Sequence, residues 1–301
     1  MGVELEYNSF DRLSRSYSDN NLPNGIYAFG DMVVKAIQKN VDINKWQQTN
    51  NNLNWIVKPD SSCGLEVCSP PNQPQVALPA IAKVITALTS NKSVTADRRC
   101  SLHVHIEIED FTENDICFLV QSWINYEHLF YFLTKEDRWY NRYCKPLGYH
   151  YAFSDKVKLN SNRCLQILSD NKYFAINFYH YKKEKRKTVE FRIMGGDACV
   201  DIDDCINWCK LILIFVERCK SESYDKNFID TIEYKNISTF YEFLNYKGVC
   251  LDDCETIMWM ISRLNDTICR EEKLPASWPE ILMFCKEDIK SLIEKLQESI
   301  K

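Results

Sequence analysis

Between Gly2 and Tyr7 the chain alternates apolar and acidic residues with period two, so a strand there turns Val3, Leu5 and Tyr7 to one face and Glu4 and Glu6 to the other. The alternation returns in Leu65-Glu66-Val67-Cys68. It returns in Ser101 to Glu107, where Leu102, Val104 and Ile106 oppose His103 and His105, and in Thr188 to Ile193, where Val189, Phe191 and Ile193 oppose Glu190 and Arg192. Asn177 is likewise out of phase with Ile176 and Phe178. Asn50 to Lys58 has strand character through Trp55 and Val57, and Pro59 to Gly64 has the composition of a turn. Phe174 to His180 and Thr188 to Ile193, on either side of the charged tip Lys182 to Lys187, predict a long hairpin.

Helical spacing occupies the rest. A short helix is expected around Ala28 to Lys39. Pro74 to Thr89 is amphipathic through Val76, Leu78, Ile81, Val84, Ile85 and Leu88. Thr112 to Leu133 opens with Thr112 and Asp115 in the form of a capping box. Patterns at about 201–220, 236–245, 251–264 and 279–298 make the last third almost wholly helical, and Asn8 to Gly25 is a polar loop. No repeat or low-complexity linker divides the chain. These elements predict an α+β protein of one domain, residues 1–301: an antiparallel sheet core over about 1–197 and a helical part over about 198–301.

With 301 residues, 45% of them hydrophobic, the chain can bury a large core. Its net charge of -5 sets up no general field for nucleic acid or an anionic membrane. No spanning helix or secretory leader is evident, so a cytoplasmic protein is expected. The 14 cysteines are scattered without a C-x-x-C pair, and Cys205/Cys209 and Cys250/Cys254 fall in helical patterns where cysteine serves as a small apolar residue.

The polar faces carry the chemistry. Alone, a strand with Glu4 and Glu6 reads first as a solvated face, although two such carboxylates also form a pincer for a hard cation, and a lone His-x-His pair is usually a satisfied one. Four strands that all present metal- or anion-binding residues are harder to explain that way. Several carboxylates, at most two imidazoles and no thiolate in phase favour Mg²⁺ or Mn²⁺ over zinc, and such ions commonly work bridged to nucleotide phosphates. ATP is therefore expected, with Arg192 placed to neutralise charge on a transferring phosphoryl group. The chain has no G-x-x-x-x-G-K-[ST] loop and no G-x-G-x-x-G after a strand, so a nucleotide would be held by the sheet and its metals.

In order along the chain, Gly2 to Glu6, Asp60 to Ser62 with Gly64 to Val67 and Ser69-Pro70, Cys100 to His105, Arg138 to Pro146, Tyr173 to Asn177 and Thr188 to Arg192 resemble the amidoligase family, over residues 2 to about 197. That resemblance implies a curved sheet like those of glutamine synthetase and glutamate-cysteine ligase. It also implies ATP-dependent amide formation from a carboxylate and an amine through an acyl phosphate. Carried over by motif, Glu4, Glu6, Glu66, Glu190 and His103 or His105 form the metal and nucleotide site, with Asn177 beside them. Arg192 stabilises phosphate, and Asp60 faces the amine or a metal. Arg138 or Arg142 holds a phosphate or the substrate carboxylate. The substrates would be an amino acid, peptide or amino-sugar conjugate and its amine partner.

Two other functions compete. A metal-dependent amidohydrolase also begins from His-x-His on a strand, but it calls for late histidines, and only His128, His150 and His180 follow. An inactive ATP- or partner-binding protein would have little reason to keep crowded like charges. The basic tip and the aromatic residues Phe130, Tyr131, Trp139, Tyr140 and Tyr143 have plainer explanations as a solvated turn and a core.

Overall fold

The computed structural model describes residues 1–8, 24–45, 54–92, 94–139, 141–147, 161–183, 187–220, 237–245, 251, 253–269 and 278–301. It is an α+β protein. By contacts the chain forms two compact units, one of Met1–His105 with Met194–Cys209 and one of Ile106–Ile193 with Lys210–Lys301.

The first unit is built on β1 (Gly2–Asn8), with β2 (Ile43–Lys45), β3 (Trp55–Asp60), β4 (Gly64–Cys68) and β5 (Ser101–Glu107). These run in the order β2-β3-β4-β1-β5. The pairings β3 with β4, β4 with β1 and β1 with β5 are antiparallel, and the short β2 pairs parallel to β3. Val3, Leu5 and Tyr7 of β1 are buried together with Val57, Leu65, Val67, Leu102 and Val104, which is the apolar phase read from the sequence. The Tyr7 hydroxyl, whose pKa burial pushes well up, donates to the Cys199 carbonyl at 2.7 Å in the 3₁₀ turn Gly196–Cys199.

Two helices belong to this unit, α1 (Asn24–Ile37) and α2 (Pro74–Thr89). Proline at the first position of α2 suits a helix start, because the N–H it lacks would have no intrahelical partner. The buried stripe of α2 is Ala77, Ile81, Val84, Ile85 and Leu88, whereas Val76, expected on the apolar face, is 58% exposed. A 3.6-residue period phased on Ile81 and Ile85 reaches back to Ala77 and leaves Val76 a third of a turn away.

The second unit surrounds α3 (Glu113–Phe132). Thr112 and Asp115 form a true capping box: Thr112 Oγ1 accepts from the Asp115 N–H, and the Asp115 carboxylate accepts from the Thr112 N–H. From Ile116 to Phe132 nearly every side chain is buried, as in a helix covered on all sides. Trp123 stacks on Phe130 at 4.5 Å and meets Phe191 at 5.3 Å, and Phe215 lies edge-on to Phe130 at 5.0 Å. Phe130, Tyr131 and Trp139 are thus core residues, Tyr143 is exposed, and Tyr140 lies outside the described residues.

The second unit also holds α4 (Glu136–Trp139), α5 (Ser161–Asp170), β6 (Ile176–Asn177), α6 (Tyr179–Lys183), β7 (Thr188–Gly195) up to Ile193 and α7 (Ile202–Lys220) from Lys210 on. The helical end of the chain follows as α8 (Phe240–Leu244), α9 (Cys254–Cys269) and α10 (Trp278–Ser299). Thr267 of α9 donates to the Phe132 carbonyl at 2.6 Å, and Arg218 of α7 donates to the Phe243 carbonyl at 2.8 Å. Among the described residues no helix is long and apolar enough to cross a membrane.

The expected long hairpin is shorter than its pattern suggested. β6 has only two residues, and Asn177 Oδ1 accepts from the Tyr179 N–H at 3.0 Å, a side-chain turn that starts α6 in place of a second long strand. Residues 184–186 of the basic tip and 9–23 of the polar loop lie outside the described residues.

Gly196 has no room for a side chain: a Cβ there would stand 2.6 Å from the Cys100 Cβ and 3.0 Å from the Asp97 carbonyl oxygen. Gly196→Ala should therefore destabilise the protein by about 2 kcal/mol through overpacking, read from the shift of the urea unfolding midpoint.

Candidate active site

Because β1, β4 and β5 bury one phase, their other phase is fixed too. Glu6 lies directly across from Glu66 on β4, Glu4 across from Cys68 on β4 and His103 on β5, and Glu66 across from Lys58 on β3. Like charges placed opposite each other in a sheet are destabilising, so this arrangement costs the fold something. Glu6, Glu66 and His103 are nonetheless buried.

Glu4 is held by two histidines. Its Oε2 lies 3.0 Å from His103 Nδ1 and its Oε1 lies 3.4 Å from His105 Nε2. Burial works to raise the Glu4 carboxyl, but the charge of His105 and hydrogen bonds from both imidazoles more than offset it and hold the group well below the usual carboxylate range. Glu6 Oε1 lies 3.7 Å from His103 Nε2.

Glu66 behaves in the opposite way. Its Oε1 receives the Lys58 ammonium at 2.8 Å and the Cys68 thiol at 2.8 Å. Burial and the neighbouring Glu4 charge nevertheless outweigh Lys58 and push the Glu66 carboxyl up to about 7. Burial and the Glu66 and Glu4 charges push the Cys68 thiol well up as well. Glu4, Glu66 and Cys68 keep their ligand atoms within 4.8 Å of one another.

A second group of the same kind lies along the strands. Glu6, Asp60 and Cys63 also bring their ligand atoms within 4.8 Å of one another. Asp60 ends β3, and its Oδ1 accepts from the Ser62 N–H at 2.7 Å, the Ser62 hydroxyl and the Cys63 N–H at 3.3 Å. Burial would raise Asp60, but these hydrogen bonds hold its carboxyl low. Gly64 closes the turn with φ of 125°, a conformation that favours glycine.

In the second unit β7 carries Glu190, 1% exposed. The Arg192 guanidinium contacts Glu190 Oε1, Asn177 Nδ2 donates to Oε2 at 3.1 Å, and His180 Nε2 lies 3.7 Å from Oε2. Arg192 Nε also points to the Tyr143 carbonyl at 3.4 Å. Arg138 is buried and serves the backbone of β7, with Nε donating to the Ile193 carbonyl at 2.9 Å and Nη2 to the Arg192 carbonyl at 2.8 Å. Arg142 is exposed, donates to the Tyr143 hydroxyl at 2.7 Å and lies over that ring at 4.8 Å. Burial pushes the His128 imidazole on α3 down to about 4.

The family model described as "Putative amidoligase enzyme" matches residues 31–216, more than half of the 301. The chain belongs to the amidoligase family. By that description it is an enzyme that forms amide bonds. A comparison with curated proteins and one with solved structures returned no match. The match takes in Asp60, Glu66, His103, His105, Arg138, Arg142, Asn177, Glu190 and Arg192 of this amidoligase. It runs beyond residue 197 into α7, and it leaves out β1, so Glu4 and Glu6 rest on the strand geometry above.

Three side chains of the acidic face escaped the sequence pattern. Lys58 sits in the phase of Asp60, and period two along β3 would have placed it opposite Glu66. Cys68 shares the phase of Glu66, so a thiol does lie on this face, contrary to the expectation that none is in phase. Cys63 belongs to a turn, where no period applies.

Glu66 makes the amidoligase sensitive to pH when metal is withheld. A carboxyl that titrates near 7 in the fold and near 4.5 unfolded keeps a proton in the native state that the unfolded chain has lost. Its contribution is fully present below pH 4.5 and disappears as the pH rises through 7, a loss of about 3 kcal/mol. The lowered Glu4 acts only below pH 4.5, outside this window. His128, held down to about 4 by burial, adds stability as the pH rises from 4 to 6.5 in wild type and variant alike, so it cancels from their difference. Urea unfolding in EDTA should show the stability of the wild type, taken relative to Glu66→Gln, falling by about 2 kcal/mol between pH 5 and pH 8.

Proposed function

We propose that this amidoligase is an ATP-dependent carboxylate-amine ligase. A substrate carboxylate takes the γ-phosphoryl group of ATP, giving an acyl phosphate and ADP; an amine then attacks the acyl carbon, releases phosphate and leaves an amide. A curved sheet of the glutamine synthetase type belongs to the same proposal.

The observation that carries it is the buried pairing of Glu6 with Glu66 beside Glu4. Three carboxylates on one strand pair, one of them pushed up to about 7, form a donor set whose repulsion a divalent cation would relieve. The residues present fit Mg²⁺ or Mn²⁺, with Glu4, Glu6 and Glu66 as its holders and His103 beside them. When bound, such an ion offsets the charge between an anionic carboxylate and a triphosphate.

The chain's own residues supply the rest. His103 and His105 fix the Glu4 carboxylate from two sides, so it is pre-oriented. Asn177 donates to one oxygen of Glu190 and Arg192 to the other, which orients the planar guanidinium that this reading assigns to phosphate. Asp60 is the candidate acceptor for the proton that the attacking amine loses.

Incubation of the purified protein with Mg-ATP and a cell extract, followed by mass spectrometry, should reveal an amide condensation product together with ADP. ADP formation should require both an acid and an amine. Amide cleavage in the absence of nucleotide would point to the hydrolase instead. Glu4→Gln and Arg192→Lys should each lower amide formation by about a hundredfold while the circular dichroism spectrum stays that of the wild type. Wild-type turnover in Glu4→Gln would remove the metal assignment.

A further inference from the structure

Two segments of the second unit repeat one construction. Asn141-Arg142-Tyr143 follows α4 and Asn171-Lys172-Tyr173 precedes β6, each an asparagine, a cation and a tyrosine in that order. In each, the asparagine Oδ1 accepts from the tyrosine N–H at 2.9 Å. In each, the cation lies over the ring that follows it, Arg142 at 4.8 Å and Lys172 at 5.6 Å. Backbone bonds tie the two segments side by side: the Lys145 N–H donates to the Tyr173 carbonyl at 2.7 Å, and the Ala175 N–H to the Lys145 carbonyl at 2.9 Å. The tyrosine rings meet edge to face with centroids 5.4 Å apart.

This ledge stands outside the core. Both rings are 39% exposed, and Arg142, Lys145 and Lys172 are exposed as well. Among the described residues none of these three cations has a carboxylate partner, whereas Lys58, Lys210 and Lys220 each meet one. Arg142 is held in place by its own neighbour, since Nη2 donates to the Tyr143 hydroxyl at 2.7 Å, and its remaining N–H donors stay available to an anion. The ledge joins the Glu190 group at two points. Arg192 Nε points to the Tyr143 carbonyl at 3.4 Å, and Asn177 Nδ2, which holds Glu190, lies 3.3 Å from the Lys172 carbonyl.

What the ledge offers a ligand is positive charge. Its rings meet each other and each carries a cation, which leaves them poorly placed to stack a nucleobase, while the unpaired cations suit carboxylates. Arg192 is already assigned to the phosphate of the reacting group, so three further cations on two chain segments fit a ligand with negative charge beyond the group that reacts. We propose that the ledge binds an acidic peptide through its side-chain carboxylates, and that this peptide is the acid substrate. That the peptide is a substrate rests on the ligase reading; that the ledge binds it does not.

Fluorescein-labelled tetraglutamate, titrated with the full chain in the absence of ATP and read by fluorescence anisotropy, should bind, and tetraglutamine should not. Arg142→Gln and Lys172→Gln should each weaken tetraglutamate about threefold and together about tenfold. Lys39→Gln/Lys83→Gln, which removes the same charge from exposed positions of the first unit, should leave binding as in the wild type. Equal weakening in that control, or wild-type binding in the Arg142→Gln/Lys172→Gln variant, overturns the proposal. A matching loss of Mg-ATP affinity in the latter variant also overturns it, by giving the ledge to nucleotide phosphate. So does a labelled oligothymidylate that binds more tightly than tetraglutamate, which would give it to single-stranded nucleic acid. Amide formation is scored separately with Mg-ATP and cell extract, so failure of the ligase reading and failure of this one are told apart.

Discussion

Burial of one strand phase governs everything on the other. Val3, Leu5 and Tyr7 are buried with Leu65, Val67, Leu102 and Val104, and each such side chain is worth about 1.5–3 kcal/mol against exposure. A slip of one residue in β1 would turn all of that outward. Against this total, the cost of ionising Glu66 in the fold, about 3 kcal/mol, is small. The register therefore holds even though it sets Glu6 opposite Glu66. The core fixes which positions face each other, and its burial exceeds the cost of the carboxylates that stand there.

The second unit handles a buried carboxylate differently. Glu190 receives Arg192 at one oxygen and Asn177 at the other, so its charge is answered within a few residues of β6 and β7. Removing one partner of such a pair typically costs 3–5 kcal/mol, because the remaining charge stays buried. Arg138 stands behind this arrangement. By bonding the carbonyls of Arg192 and Ile193 it fixes the backbone from which the Arg192 side chain extends.

Strands were legible wherever apolar residues alternated, and so were the side chains they carry: Glu4, Glu6, Glu66, His103 and His105 fall where period two puts them. The helix Pro74–Thr89 and the Thr112–Asp115 cap were equally plain, since spacing and capping chemistry are local. What was not legible depends on contacts distant in sequence or on turns. The α6 turn follows from one side-chain hydrogen bond of Asn177, which no period reports. Arg138, a holder of phosphate or substrate carboxylate by the family resemblance, is buried and bonds the backbone carbonyls of β7. Lys58 was overlooked because an isolated lysine in a strand usually reads as surface, and only the register reveals its partner.

That lysine has a consequence for how the chain reaches its folded form. The Lys58 side chain is 40% exposed while Glu66 beneath it is 7% exposed, so the ammonium caps the acidic face from the solvent side. A counter-ion tethered by four methylenes is always at hand as the sheet forms, and it can swing into water without leaving the molecule. The face thus carries its own neutraliser. Folding needs no external cation to answer Glu66, and uncovering that carboxylate takes a local side-chain movement rather than a refolding of the sheet.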